Sequence, residues 1–213
     1  SNKDPHSTFD HSFRTLENTL DFARVKKRHV IYLSSSMVYG NFQTKEVTED
    51  TACVPIGIYG TLKYSGELLV KAYNQVFDLP YTIVRPSALY GERCVSRRVG
   101  QAFIENALVG EDLTVNGDGK EGLDFTYIND LVQGIILSII KSDSINQIFN
   151  ITFGAARSIN QLAEIVMEKF PGIKLHHKKR DGLMPERGTL SIAKAQKLLG
   201  YTPQHPVEKG FVQ

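Results

Sequence analysis

Cysteine is scarce in this chain. Cys53 and Cys94 make no disulfide framework, and neither stands at a metal-ligand spacing. No apolar run approaches the roughly 20 residues of a membrane span, and no signal peptide opens the sequence. A cytoplasmic location is therefore the expectation, with no membrane partner. An excess of one charge is missing as well. The 25 Lys and Arg against 23 Asp and Glu leave a net charge of +2, which carries no footprint for nucleic acid or a lipid surface. Internal repeats and low-complexity tracts are absent. What remains is an ordinary globular composition, 41% hydrophobic and 23% charged over 213 residues. That length suffices for one sizeable core and a second small lobe.

The most informative stretch runs from Ile31 to Glu67. Val30-Ile31-Tyr32-Leu33 is short, apolar and partly β-branched, as a buried parallel strand is. Ser34, Ser35 and Ser36 follow where that strand ends, and in open α/β sheets ligands sit at the carboxyl ends of strands. Tyr59 and Lys63 are four residues apart, so on a helix they share a face. The residue types suit proton transfer. A phenol titrates near pH 10 in water, too high for a base at neutral pH, and a neighbouring ammonium favours its ionised form. A serine hydroxyl then holds a substrate hydroxyl in line and shares its proton. Such a set suits deprotonating a sugar or alcohol carbinol while hydride leaves to a nicotinamide. Tyr-x-x-x-Lys also arises by chance in helices, and a serine run alone reads as a polar loop. The order of strand, serines, Tyr-Gly, a loop with Pro55 and then Tyr-x-x-x-Lys is what argues for chemistry.

The chain resembles the extended short-chain dehydrogenase/reductases, in their nucleotide-sugar epimerase and dehydratase branch. The matching pieces are SSSMVYG at 34–40, YGTLKYSGE at 59–67, TIVRPSALYGERC at 82–94, NGDGKEGLDFTYINDLVQGI at 116–135, FNITFG at 149–154 and IAKAQKLLGYTP at 192–203. The resemblance implies a catalytic set of Ser35, Tyr59 as base and Lys63 as its partner. It implies cofactor contacts from Ser34, Tyr59, Lys63, Pro86 and Ser87. Substrate contacts fall on Ser36, Ala88, Arg97, Arg98, Arg180 and Arg187, and no residue is assigned to a metal. Many sugar-nucleotide epimerases carry asparagine where Ala88 stands. Relatives acting on UDP-sugars typically carry arginine where Leu123 stands, and its loss here either weakens a UDP-sugar assignment or shifts the phosphate load to Arg97, Arg98 or Arg180. In the family another arginine near Pro185 grips the diphosphate, with Arg180 and Arg187 as the candidates.

Along the chain, Phe13, Leu16, Leu20 and Ala23 predict a helix over about 8–25. The family's glycine-rich turn and acidic ribose-binding residue are expected upstream of it. The one Gly-x-Gly-x-x-Gly, Gly117 to Gly122, is followed by an extended run, so it reads as a turn between strands and not a dinucleotide site. Either a longer polypeptide carries the missing cofactor half, or the chain is a truncated relative. Further helices are expected over 59–78, 98–109, 131–141 (capped by Asp130), 158–169 (opened by a Ser158–Gln161 capping box) and 191–199. Strands are expected over 81–85 and 147–153. Leu62, Leu69, Val70, Tyr73 and Val76 form an apolar stripe, read either as core or as the face of a homodimer. Three arginines, Arg93, Arg97 and Arg98, read either as a diphosphate grip or as a solvated loop. His176 and His177 alternate on an extended segment and do not converge on a metal.

The expected fold class is α/β. Residues 1–92 form the C-terminal part of an NAD(P)-binding Rossmann domain, and 93–213 form mainly a substrate-binding lobe, with 116–153 returning partly to the Rossmann sheet. The expected function is NAD-dependent epimerisation of a nucleotide-diphosphate sugar at C4 through a 4-keto intermediate. Ser36-Met37 stand where a 4,6-dehydratase has an acid pair, which argues against dehydration. An NADP-dependent reductase and a non-catalytic sugar-nucleotide-binding fragment are the alternatives.

Overall fold

The computed structural model describes residues 4–94, 97–179 and 184–211. The N-terminal helical segment comprises α1 (Pro5–Phe9), a wider π turn (Asp10–Arg14) and α2 (Thr15–Lys26). Asp4 opens it by accepting from the Ser7 amide, with Pro5 at the first helical position. Lys27, in the left-handed region, closes it. The expected helix over 8–25 is thus three residues longer at its start. There follow β1 (Val30–Leu33), a 3-10 turn (Ser36–Tyr39), β2 (Glu46–Val47), α3 (Gly57–Phe77), β3 (Tyr81–Arg85) and β4 (Ala88–Tyr90). The next elements are α4 (Val99–Leu108), β5 (Leu113–Asn116), β6 (Gly122–Leu123), β7 (Phe125–Tyr127) and α5 (Ile128–Ile140). The chain continues through β8 (Gln147–Asn150), β9 (Arg157–Ser158), α6 (Ile159–Lys169), β10 (Leu175–Lys178), β11 (Thr189–Leu190), α7 (Ala193–Leu199) and α8 (Val207–Gly210).

The central sheet is parallel, in the order β1-β3-β8, with Val30 opposite Tyr81 and Val84 opposite Phe149. Helices cover both faces, as parallel strands require. Leu16, Leu20 and Ala23 of α2 and Val70 of α3 pack on Tyr81 and Ile83. Leu131 of α5 and Ala195 and Leu199 of α7 pack on Val84 and Phe149 from the other side. Among the described residues β1 pairs with β3 alone, so its second edge is open.

A second core lies beyond the carboxyl ends of these strands. Phe103 and Ala107 of α4, Leu113 and Val115 of β5, and Leu162, Ala163 and Val166 of α6 are its centre. Short ladders frame it: β4 with β7 and β5 with β10, both parallel, and β6 with β9, antiparallel. Gly117 to Gly122 make the turn from β5 into β6, and the Ser158–Gln161 capping box opens α6. Asp130 does not cap α5, which starts two residues earlier. From the first helical turn its carboxylate instead accepts the amides of Gln204 and His205, both at 3.0 Å, and so ties down the C-terminal segment.

Candidate active site

The site is built at the end of β1 and the start of α3. Ser35 is extended and caps the following 3-10 turn, its Oγ accepting from the Met37 amide at 3.2 Å. That leaves the hydroxyl proton to be given elsewhere. Ser34 donates to Glu67 behind the site. Ser36 donates to Ser87 Oγ at 3.4 Å, and its amide bonds the Pro86 carbonyl at 2.8 Å, so the ends of β1 and β3 are held side by side.

Tyr59 and Lys63 project from the first turns of α3. The Lys63 ammonium donates to the Leu33 carbonyl at 2.8 Å and lies 5.9 Å from the Tyr59 ring centre and 5.4 Å from that of Tyr32. Both distances are within cation–π range. Burial lowers the Lys63 pKa below the ordinary lysine value.

Ser34, Ser35, Ser36, Met37, Tyr59, Pro86, Ser87 and Ala88 line a cleft of about 700 Å³. Arg97, Arg98, Thr114, Asn116, Glu121, Leu123 and Arg187 line the same cleft. The expected site residues within the described chain therefore converge on one cavity, except Lys63, which lines an adjoining pocket. Arg180 lies outside the described residues. Arg187 donates to Glu121 Oε1 from Nε and Nη2, each at 3.2 Å, with both side chains largely buried. Arg97 is tied at the rim to Glu105 and Asn106, each at 2.8 Å. The adjoining pocket, about 300 Å³, lies beside the open edge of β1 and is lined by His11, Ser12, Thr15, Thr19, Tyr32, Tyr59 and Lys63. Among the described residues no group of three His, Cys, Asp or Glu is placed to hold a metal.

Four residues escaped the sequence reading. Glu121 is the counter-ion of Arg187, a contact across 66 residues that no local pattern signals. Glu67 and Arg85 form a buried ion pair, and only the eight-residue spacing of Glu67 from Tyr59 placed it on the catalytic face. Asp124 is fully buried. It accepts the amides of Phe153, Gly154 and Leu190 and the Thr152 hydroxyl, and burial pushes its carboxyl up to about 6.

A model of the NAD-dependent epimerase/dehydratase family matches residues 1–152. The chain belongs to this family. It is 32% identical over 209 residues to an uncharacterized UDP-glucose epimerase, YtcB, of Bacillus subtilis, covering 97% of this chain and 66% of that protein. A dTDP-glucose 4,6-dehydratase of Haemophilus influenzae is 26% identical over 211 residues, covering 92% of this chain and 62% of the relative. The UDP-glucuronic acid 4-epimerase of Bacillus cereus, solved with UDP-glucuronic acid and NAD, superposes with a TM-score of 0.91 at 27% identity, covering 96% of this chain and 66% of that one. For the UDP-glucose 4-epimerase of Thermotoga maritima, solved with UDP-glucose, the TM-score is 0.92 at 26% identity, covering 99% and 70%. The family chain described here thus spans about two thirds of the length of these relatives. The parallel sheet with helices on both faces is the Rossmann-type sheet of this family.

Proposed function

We propose that this chain carries the proton-transfer and substrate-binding part of an NAD-dependent nucleotide-sugar epimerase acting at C4. One observation carries the reading: a single cleft is lined both by Ser35 and Tyr59 and by the guanidinium groups of Arg97, Arg98 and Arg187. Guanidinium forks match phosphate oxygens, so a diphosphate held there lays its sugar against Tyr59. In this reading Ser35 orients the C4 hydroxyl, Tyr59 Oη takes its proton, and the Lys63 ammonium stabilises the charge that develops. The same groups return the proton to the opposite configuration. Ser36 and Met37 line the cleft where a dehydratase would need acids, which supports epimerisation over loss of water.

The adjoining pocket tests the fit of NAD. Its Lys63 ammonium and the hydroxyls of Ser12, Thr15, Thr19 and Tyr59 are a donor set suited to a ribose, next to the cleft. Lys63 and Tyr59 would hold the nicotinamide ribose, with Pro86 and Ser87 near the ring. NAD, when bound, supplies the hydride acceptor and returns the hydride. Tyr59→Phe should reduce turnover of UDP-sugars by about 100-fold or more without moving the unfolding midpoint, and unchanged turnover would sink the assignment. Stoichiometric NAD(H) released on denaturing the full protein is also expected, since an epimerase recovers its hydride each cycle.

Of the apolar stripe on α3, Val70 is buried and Leu69 and Tyr73 pack on the core, so the reading extends to a homodimer through the exposed Phe22, Val25, Leu68 and Val76 of the α2/α3 layer. Sedimentation should show twice the protomer mass, and a strict monomer would refute that part.

A further inference from the structure

Behind the cleft, buried polar side chains tie four elements together. Glu67 is fully buried on α3, one turn beyond Lys63 and two beyond Tyr59. Its carboxylate takes Nε of Arg85 at 2.9 Å and Nη2 at 2.6 Å in a two-pronged ion pair, and it also accepts the Ser34 hydroxyl. Arg85 ends β3 and is 2% exposed. Its Nη1 donates to Tyr39 Oη at 2.9 Å and to the Glu49 carbonyl at 3.3 Å. Tyr39 in turn donates to Asn150 Oδ1, at the end of β8, at 2.8 Å.

This pair is an anchor of α3 near the site, beside the Lys63–Leu33 and Tyr32–Lys63 hydrogen bonds and the packing of Tyr64 on the Val38–Tyr39 cluster. From Gly57 to Gly66 only Gly60 and Gly66 are buried. Both mark close approaches: a Cβ on Gly60 would lie 2.7 Å from the Met37 carbonyl oxygen, and one on Gly66 would run into the Tyr32 hydroxyl. The first fully buried apolar side chain of α3 after those glycines is Val70. A glycine contact sets how near the helix comes but resists sliding and rotation weakly. A bidentate guanidinium–carboxylate pair sets both. Such a pair adds little to stability over well-packed apolar residues, so its effect here falls on geometry.

We propose that Glu67 and Arg85 are positioning residues for the reacting set. They hold the helix bearing Tyr59 and Lys63 in register with the strand end bearing Ser35. Ser34 is the link, since its hydroxyl is bound to Glu67 while its neighbour Ser35 faces the cleft. What the set catalyses rests on the epimerase reading, whereas how it is held rests on this geometry.

The test combines amide hydrogen exchange with steady-state kinetics on the full chain. It compares wild type with the charge-free double variant E67M/R85M, which removes both buried charges together. The double variant should keep a wild-type unfolding midpoint yet exchange faster at Thr61–Gly66 than at Val70–Phe77. It should also lose about 10- to 100-fold in kcat at nearly constant KM, the scale of a misplaced reacting group. Wild-type kcat with uniform exchange along α3 would overturn the proposal, as would a kcat loss that only tracks the folded fraction. Should E67M/R85M not fold, Ser34→Ala cuts the link and leaves the ion pair. Faster exchange at Ser36 and Met37 is then expected, and unchanged exchange refutes the link. If the wild-type protein with NAD bound turns over no nucleotide sugar, the epimerase reading fails, and the exchange pattern decides the positioning proposal by itself.

Discussion

Arg187 shows how a single residue reports on the ligand. Its guanidinium lines the cleft and is already met by Glu121 at 3.2 Å. On the proposed function, a diphosphate entering the cleft would compete with that carboxylate for the same N–H donors. Arg187→Ala removes a charge-assisted contact of about 1.5–3 kcal/mol and leaves the Glu121 carboxylate facing an anion. UDP affinity should therefore fall by at least about tenfold in calorimetric titration, with KM rising more than kcat falls. Glu121→Gln should move the other way, tightening UDP by removing the competing carboxylate charge. Unchanged affinity in both variants would remove Arg187 from the diphosphate site. Tyr59 and Lys63 stood out from their spacing together with the order of strand, serines and helix around them. Glu121 was not, because an ion pair across 66 residues exists only once β6 and the segment before β11 have met.

At the scale of elements, α3 sets two effects against each other at Gly60. Alanine is favoured over glycine inside a helix by about 1 kcal/mol, so on propensity Gly60→Ala should stabilise. The added Cβ would, however, sit 2.7 Å from the Met37 carbonyl oxygen and 3.2 Å from the Pro55 Cβ. Met37 belongs to the 3-10 turn that Ser35 caps, so backbone must move to relieve the contact. The clash should win: a lower unfolding midpoint and a lower kcat are expected, and a raised midpoint with full activity would show that the helix can draw back. The apolar strands and the helical periodicities were legible in the sequence because they are local. Asp130 misled for the opposite reason. Its position near a helix start suggested a cap, but its partners, the amides of Gln204 and His205, arrive from more than 70 residues away.

At the scale of the whole molecule, Asp124 joins the loop after β8 to β11 through its bonds to Phe153, Gly154 and Leu190. Asp124→Asn would turn an amide group toward backbone donors. Leaving such donors unpaired costs about 1–3 kcal/mol, measurable as a lower denaturant midpoint. The pH dependence has a definite sign. Burial raises the folded pKa from the ordinary 3.8 to about 6. The group's contribution is therefore full below about pH 4 and is lost as pH rises through 6. The stability difference between wild type and the Asn variant should narrow over that window; a constant difference would show that Asp124 stays ionised throughout.

The sequence by itself determined the α/β class, the parallel strand ends with their serines, the Tyr59–Lys63 spacing and the family, because each is written in short-range pattern and composition. The tertiary structure decided the rest. It brought the serines, Tyr59 and Arg187 around one cleft, supplied Glu121 as a counter-ion, and closed Glu67 onto Arg85 behind the reacting groups. Those are contacts between segments far apart in the chain, and burying a charge demands a partner wherever the fold can supply one. Sequence pattern shows which residues will be buried; only the packed chain shows which of them meet.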